Sequence, residues 1–127
     1  MRLPLKSLIL SAALAYSGSA FAGQVNRALF TIGIDDREPV TIVDSIDSSS
    51  HTSISFFTEL SDMSGQTATH QWTYNNKVMF EKSFEVKSER WRVWTSKTLI
   101  PTWKGTWTVN VLDDERVVLS SKSFEYQ

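Results

Sequence analysis

The chain has 127 residues with no cysteine, 13 basic and 14 acidic side chains, and a formal net charge of −1. The lack of cysteine excludes disulfides and attachment through a lipidated thiol. The balanced charge, without any basic run, leaves no electrostatic footprint for nucleic acid or for an anionic membrane surface.

Residues 1–22 read as an export signal. Arg2 and Lys6 form a positive n-region, residues 8–15 a short apolar run, and Ala20-Phe21-Ala22 a small-x-small cleavage pattern. The run is far below the ~20 apolar residues that span a bilayer, so no retained anchor and no membrane insertion after cleavage are expected. Cleavage after Ala22 leaves residues 23–127, with 11 basic against 14 acidic side chains and a net charge of −3. That length suits one domain and is too short for two. A periplasmic or secreted location is the expectation.

From there the apolar residues recur with period two. Ala28, Phe30, Ile32 and Ile34 predict a first strand, broken by Asp35-Asp36 and Pro39, and residues 40–43 a second, ended by Ser48-Ser49-Ser50. Ile54, Phe56, Thr58 and Leu60 alternate next, and Gly65 marks a turn. Ala68, His70, Trp72 and Tyr74 follow, then the tight-turn signal Asn75-Asn76, then Val78, Phe80, Phe84 and Val86. Trp91-x-Val93-x-Thr95 leads to Pro101, Trp103 and Gly105. Trp107, Val109 and Val111 make the next strand, residues 113–116 a turn, and residues 117–126 the last strand. About eight short strands, with turns every ten or so residues, predict an all-β antiparallel sandwich.

Several motifs carry a resemblance: Arg37-Glu38-Pro39, Phe56-Phe57-Thr58-Glu59-Leu60, Gly65-Gln66-Thr67, His70-x-Trp72, Trp91-Arg92-x-Trp94-x-Ser96-Lys97 and Gly105-x-Trp107-x-Val109. Together they resemble the bacterial domain-of-unknown-function family numbered 2914, over roughly residues 26–126. The closing hairpin from Gly105 to Tyr126 is similar to those of many immunoglobulin-like bacterial domains, with Asp114-Glu115 where such hairpins often carry a glycine. The resemblance implies an exported, immunoglobulin-like domain of about seven to eight strands, and no assigned activity.

Four of the five tryptophans lie within residues 91–107. Alternation sends Trp91 and Trp107 to the core with Trp72, and places His70 in core phase between Ala68 and Trp72. Trp94 shares the opposite face with Arg90 and Arg92. That row reads either as a cation–π ladder or as a platform for an anionic or sugar ligand. Trp103 sits in a loop, where packing over the sandwich end competes with display to solvent.

Nothing points to chemistry. There is no nucleophile elbow, and the two histidines have no spacing for a metal. The acidic pairs at residues 35–36 and 113–115 lack the punctuation of a calcium loop. No catalytic residue, cofactor or metal is expected. The reading is a non-catalytic interaction module with a protein or glycan partner in the cell envelope, using Arg90, Arg92, Trp94, Lys97 and Trp103. A carbohydrate-binding module stacking cell-wall glycan on Trp94 and Trp103 is the alternative, and a small hydrolase built on His70 a third reading.

Overall fold

A computed structural model describes residues 23–127, and the expected export signal, residues 1–22, lies outside them. Nine strands form, in chain order: β1 (Gln24–Asp35), β2 (Glu38–Val43), β3 (Ser45–Ile46), β4 (Ser53–Ser61), β5 (Thr67–Tyr74), β6 (Lys77–Glu85), β7 (Arg90–Thr98), β8 (Gly105–Leu112) and β9 (Val118–Tyr126), with a 3₁₀ turn at Pro101–Trp103. They make two sheets, ordered β2-β1-β4-β7 and β3-β9-β8-β5-β6. All pairings are antiparallel except β3 with β9. The two-residue β3 falls in a stretch whose polar composition gave no strand signal. It forms because the chain crosses between sheets there and lies alongside the end of β9.

The turns follow their chemistry. Asn75 and Asn76 both take positive φ (52° and 60°), as does the pair Asp36 and Arg37 (52° and 62°), which is the backbone of a type I′ hairpin turn. In the last hairpin Arg116 occupies the left-handed position (φ 64°) that a glycine often fills. The Asp113 side chain secures that turn by accepting from the backbone N–H of Glu115 and of Val117, both at 2.9 Å.

The facing surfaces of the sheets interdigitate in an aromatic core. Phe30 meets Phe124 at 4.7 Å and Phe56 at 5.0 Å between ring centroids, and Trp72 packs edge-on against Phe30 and Phe124. Trp107 stacks on Tyr74 at 4.8 Å. Trp72 and Trp107 are fully enclosed, and Trp91 is half-buried against the same cluster. A register shift between Trp72 and Thr73 reverses the phase of β6 at its start. Val78 therefore lies exposed while Phe80 and Phe84 turn toward the core.

The β1–β2 hairpin does not continue the plane of its sheet. Glu38 pairs with Asp35 in the ladder, yet its carboxylate contacts Arg27, eight residues earlier in β1. A straight strand would separate those positions by about 26 Å at ~3.3 Å per residue. The hairpin must therefore fold back over the outer face of the β1-β4-β7 sheet. The bend falls where the Ile32–Thr41 pair is missing from an otherwise unbroken register and Thr41 takes φ 62°. There the buried Thr31 hydroxyl lies among the carbonyls of Gly33 (2.9 Å), Thr41 (3.3 Å) and Val40.

Candidate functional site

On the outer face of the β1-β4-β7 sheet, ladder pairing sets Arg27 beside Glu59 and Glu59 beside Arg92. The folded-back hairpin adds Glu38 from above. Its carboxylate takes Arg27 in a two-point grip, 2.8 and 2.9 Å, and Arg92 at 2.6 Å. Glu59 accepts from Arg27 Nε at 2.9 Å and from Arg90 at 3.1 and 3.3 Å. The result is an unbroken chain, Arg90–Glu59–Arg27–Glu38–Arg92, with three positive and two negative groups. Hydrogen bonds from Arg27 and Arg92 hold the Glu38 carboxyl down at about 2, those from Arg90 and Arg27 depress Glu59, and the same bonds raise Arg27 and Arg90.

Beneath the hairpin lies a second, small apolar layer. Phe57 points away from the sandwich core, opposite Leu29 and Trp94 in the ladders, yet has no exposed surface. The Arg27 guanidinium sits 4.9 Å from its ring centroid. The adjacent pair Phe56-Phe57 held the signal: if one ring faces the core, the other must face outward and needs a cover. The covering segment itself, and with it Glu38, Glu59 and Arg27, escaped the reading of the sequence.

The five residues read as one surface are not brought together. Arg90, Arg92 and Trp94 share the outer face, but the expected arginine–tryptophan ladder does not form: among the described residues the arginines engage carboxylates, and the one arginine over a ring is Arg27 over Phe57. Arg92 is tied down with its side chain 23% exposed, whereas Arg90 is 59% exposed and Trp94 36%. Lys97 is in the opposite phase, opposite Ile54 of the core, and reaches over the rings of Phe80 (5.8 Å) and Trp103 (5.1 Å). Trp103 packs edge-on against Trp107, 5.9 Å between centroids, and its carbonyl accepts the Trp107 indole N–H at 2.9 Å. Trp94 and Trp103 therefore form no shared sugar platform.

His70 is sealed between the sheets. Its Nε2 lies 2.9 Å from the Thr58 hydroxyl and its Nδ1 2.9 Å from the Thr95 hydroxyl, which also accepts the Trp72 indole N–H at 2.9 Å. The Thr58 hydroxyl lies 3.3 Å from the Val93 carbonyl. One assignment satisfies every member: Trp72 donates to Thr95, Thr95 to Nδ1, the Nε2–H to Thr58, and Thr58 to Val93. It requires a neutral imidazole. Burial without a counter-charge agrees, pushing the His70 pKa down to about 3. No group of three or more histidine, cysteine, aspartate or glutamate side chains that could hold a metal occurs among the described residues. No helix of the described residues is long and apolar enough to cross a membrane.

Two stacked sheets, antiparallel but for the short β3–β9 pairing, joined by chain crossings and closed by a β8–β9 hairpin, define an immunoglobulin-like all-β sandwich. The crystal structure of an immunoglobulin-like protein from Pseudomonas aeruginosa matches this fold with a TM-score of 0.57 and 12% sequence identity, over 84% of this chain and 97% of that one. The model of a family described as "Protein of unknown function (DUF2914)" matches residues 65–126, which hold β5 to β9 and all five tryptophans. The resemblance carried by the His-x-Trp and tryptophan-rich motifs is borne out over that stretch. The motifs upstream of Gly65 lie outside it. No curated protein matches the chain at a significant level.

Proposed function

We propose that the protein is an exported, non-catalytic interaction module that binds its partner with the outer face of the β1-β4-β7 sheet, around Arg90 and Trp94. The observation that carries this reading is a large aromatic ring, 36% exposed, beside a half-free guanidinium on a rigid sheet face. Such pairs are over-represented at binding surfaces, where ring and stem supply area and the charge supplies orientation. The hydrolase reading loses its support, because His70 is enclosed at zero exposure and spends both nitrogens on threonines. The glycan reading loses its second ring to the core-side packing of Trp103.

Export is supported by the signal-like segment at residues 1–22, with its basic start, short apolar run and Ala20-Phe21-Ala22 cleavage pattern. Intact-mass measurement of the exported protein should show a chain beginning at Gly23, and a mass that retains Met1 would refute it.

The binding face is tested by Arg90→Ala combined with Trp94→Ala, assayed by crosslinked capture in the cell envelope. Capture should be lost while the melting temperature stays within a few degrees, since neither side chain is buried. Arg92 is left intact because it holds the hairpin. Unchanged capture by the double variant would move the binding face elsewhere.

A further inference from the structure

The charge chain on the outer face has two kinds of member. Arg27, Glu59, Arg90 and Arg92 belong to the sheet and are placed by its register. Glu38 does not. It arrives from the hairpin tip and makes the contacts a ligand carboxylate would make: a two-point grip by one guanidinium and a single contact from a second. Paired arginines take up carboxylates in this way because the planar fork matches the two oxygens. The Arg37 backbone carbonyl adds a contact to Arg92 at 3.3 Å, so the occupant is recognised as peptide as well as acid.

The occupant is also removable on the geometry of its attachment. The hairpin joins the sheet through a bend at Ile32 and Thr41, and the far side of its second strand faces solvent, with Val40 46% and Ile42 61% exposed. Without Glu38, three guanidinium groups face the single carboxylate of Glu59, next to Phe57, Leu29 and Trp94. An excess of two positive charges over an apolar floor fits an acidic strand with apolar residues behind the acid.

We infer that Glu38 is the built-in occupant of a carboxylate-binding site formed by Arg27 and Arg92, and that an acidic peptide segment patterned like the hairpin tip takes its place when the hairpin lifts. This rests on the reading of the same face as the binding surface, and it names the partner's chemistry: a glutamate side chain in an extended segment, followed by a proline and then β-branched residues. The wild-type protein is then self-occupied, and partner binding competes with hairpin closure.

The test uses the full exported chain and a labelled synthetic peptide with the sequence of residues 34–43, followed by fluorescence anisotropy. Glu38→Ala should bind the peptide at least tenfold more tightly than wild type. Adding Arg92→Ala should abolish the gain, and a peptide with glutamine at the Glu38 position should bind at least tenfold more weakly. Equal binding by wild type and Glu38→Ala, or by the two peptides, overturns the inference. A second measurement needs no substitution. Amide exchange across residues 33–42 of wild type should quicken with added sodium chloride while β5 and β8 do not change, and exchange of the hairpin only through global unfolding would overturn the inference. Dimers with exchanged hairpins would assign the site to a second copy and equally overturn the assignment to a peptide. If capture depends on Arg90 and Trp94 but the peptide results are negative, the face stands and only the built-in occupant falls.

Discussion

His70 shows how a single side chain sets a solution property. Its folded pKa of about 3 lies far below the ordinary value near 6.5, so the native state refuses a proton that the unfolded chain accepts. For a depressed pKa the stability is fully present above 6.5 and is lost as pH falls toward 3. Between pH 6.5 and 4.5, before most carboxylates titrate, the loss should reach roughly 2–3 kcal/mol. Urea denaturation across that range should show it, and His70→Gln, which does not titrate, should flatten the slope. An equally steep slope in the variant would place the acid sensitivity elsewhere. Below pH 4.5 the depressed carboxyls of Glu38 and Glu59 add loss of the same sign, since protonation breaks their arginine bonds. The core position of His70 was legible from alternation. Its threonine partners were not, because they come from two strands 12 and 25 residues away in sequence.

At the scale of elements, the folded-back hairpin decides most of what the outer face displays. Phe57 tests whether it truly covers that face. As an ordinary outward strand residue Phe57 would tolerate alanine with little loss, but buried beneath the hairpin it should cost about 3 kcal/mol on truncation. A measured loss below ~1 kcal/mol would mean the ring is solvated and the cover absent. The turn at the tip offers the opposite sign. Arg37 holds φ 62°, where a Cβ is strained, and only its backbone carbonyl is used. Arg37→Gly should therefore stabilise by ~0.5–1 kcal/mol, read as a rise of a few degrees in melting temperature. The strands themselves were readable because alternation is a local signal of period two. The fold-back was not, because it depends on an ion pair between Glu38 and Arg92, 54 residues apart, and on a hydroxyl at a bend that no local pattern marks. Hence Trp94 was correctly separated in phase from Trp91, while the partners of Arg92 went unseen.

For the whole molecule, the path of the chain matters more than any one contact. Successive segments alternate between sheets: β1 and β2 in one, β3 in the other, β4 back, β5 and β6 across, β7 back, β8 and β9 across. Neither sheet is built from a continuous stretch of sequence, since β4 and β7 interrupt the five-stranded sheet and β3, β5 and β6 interrupt the four-stranded one. The aromatic core and the His70 bridge then join surfaces that are each incomplete alone. No disulfide restrains the unfolded chain. Such a domain should unfold as one unit, with tryptophan fluorescence and far-ultraviolet circular dichroism giving superimposable urea transitions. Because most strand pairings are distant in sequence, refolding should be slow for a domain of this size, in the millisecond-to-second range. The probes are well placed for the comparison. Trp72 and Trp107 report the packing between sheets, whereas circular dichroism reports the ladders within them. If fluorescence were lost at lower urea than the β-signal, the sheets would persist after the core had opened. The interlocked path would then not be what enforces cooperativity.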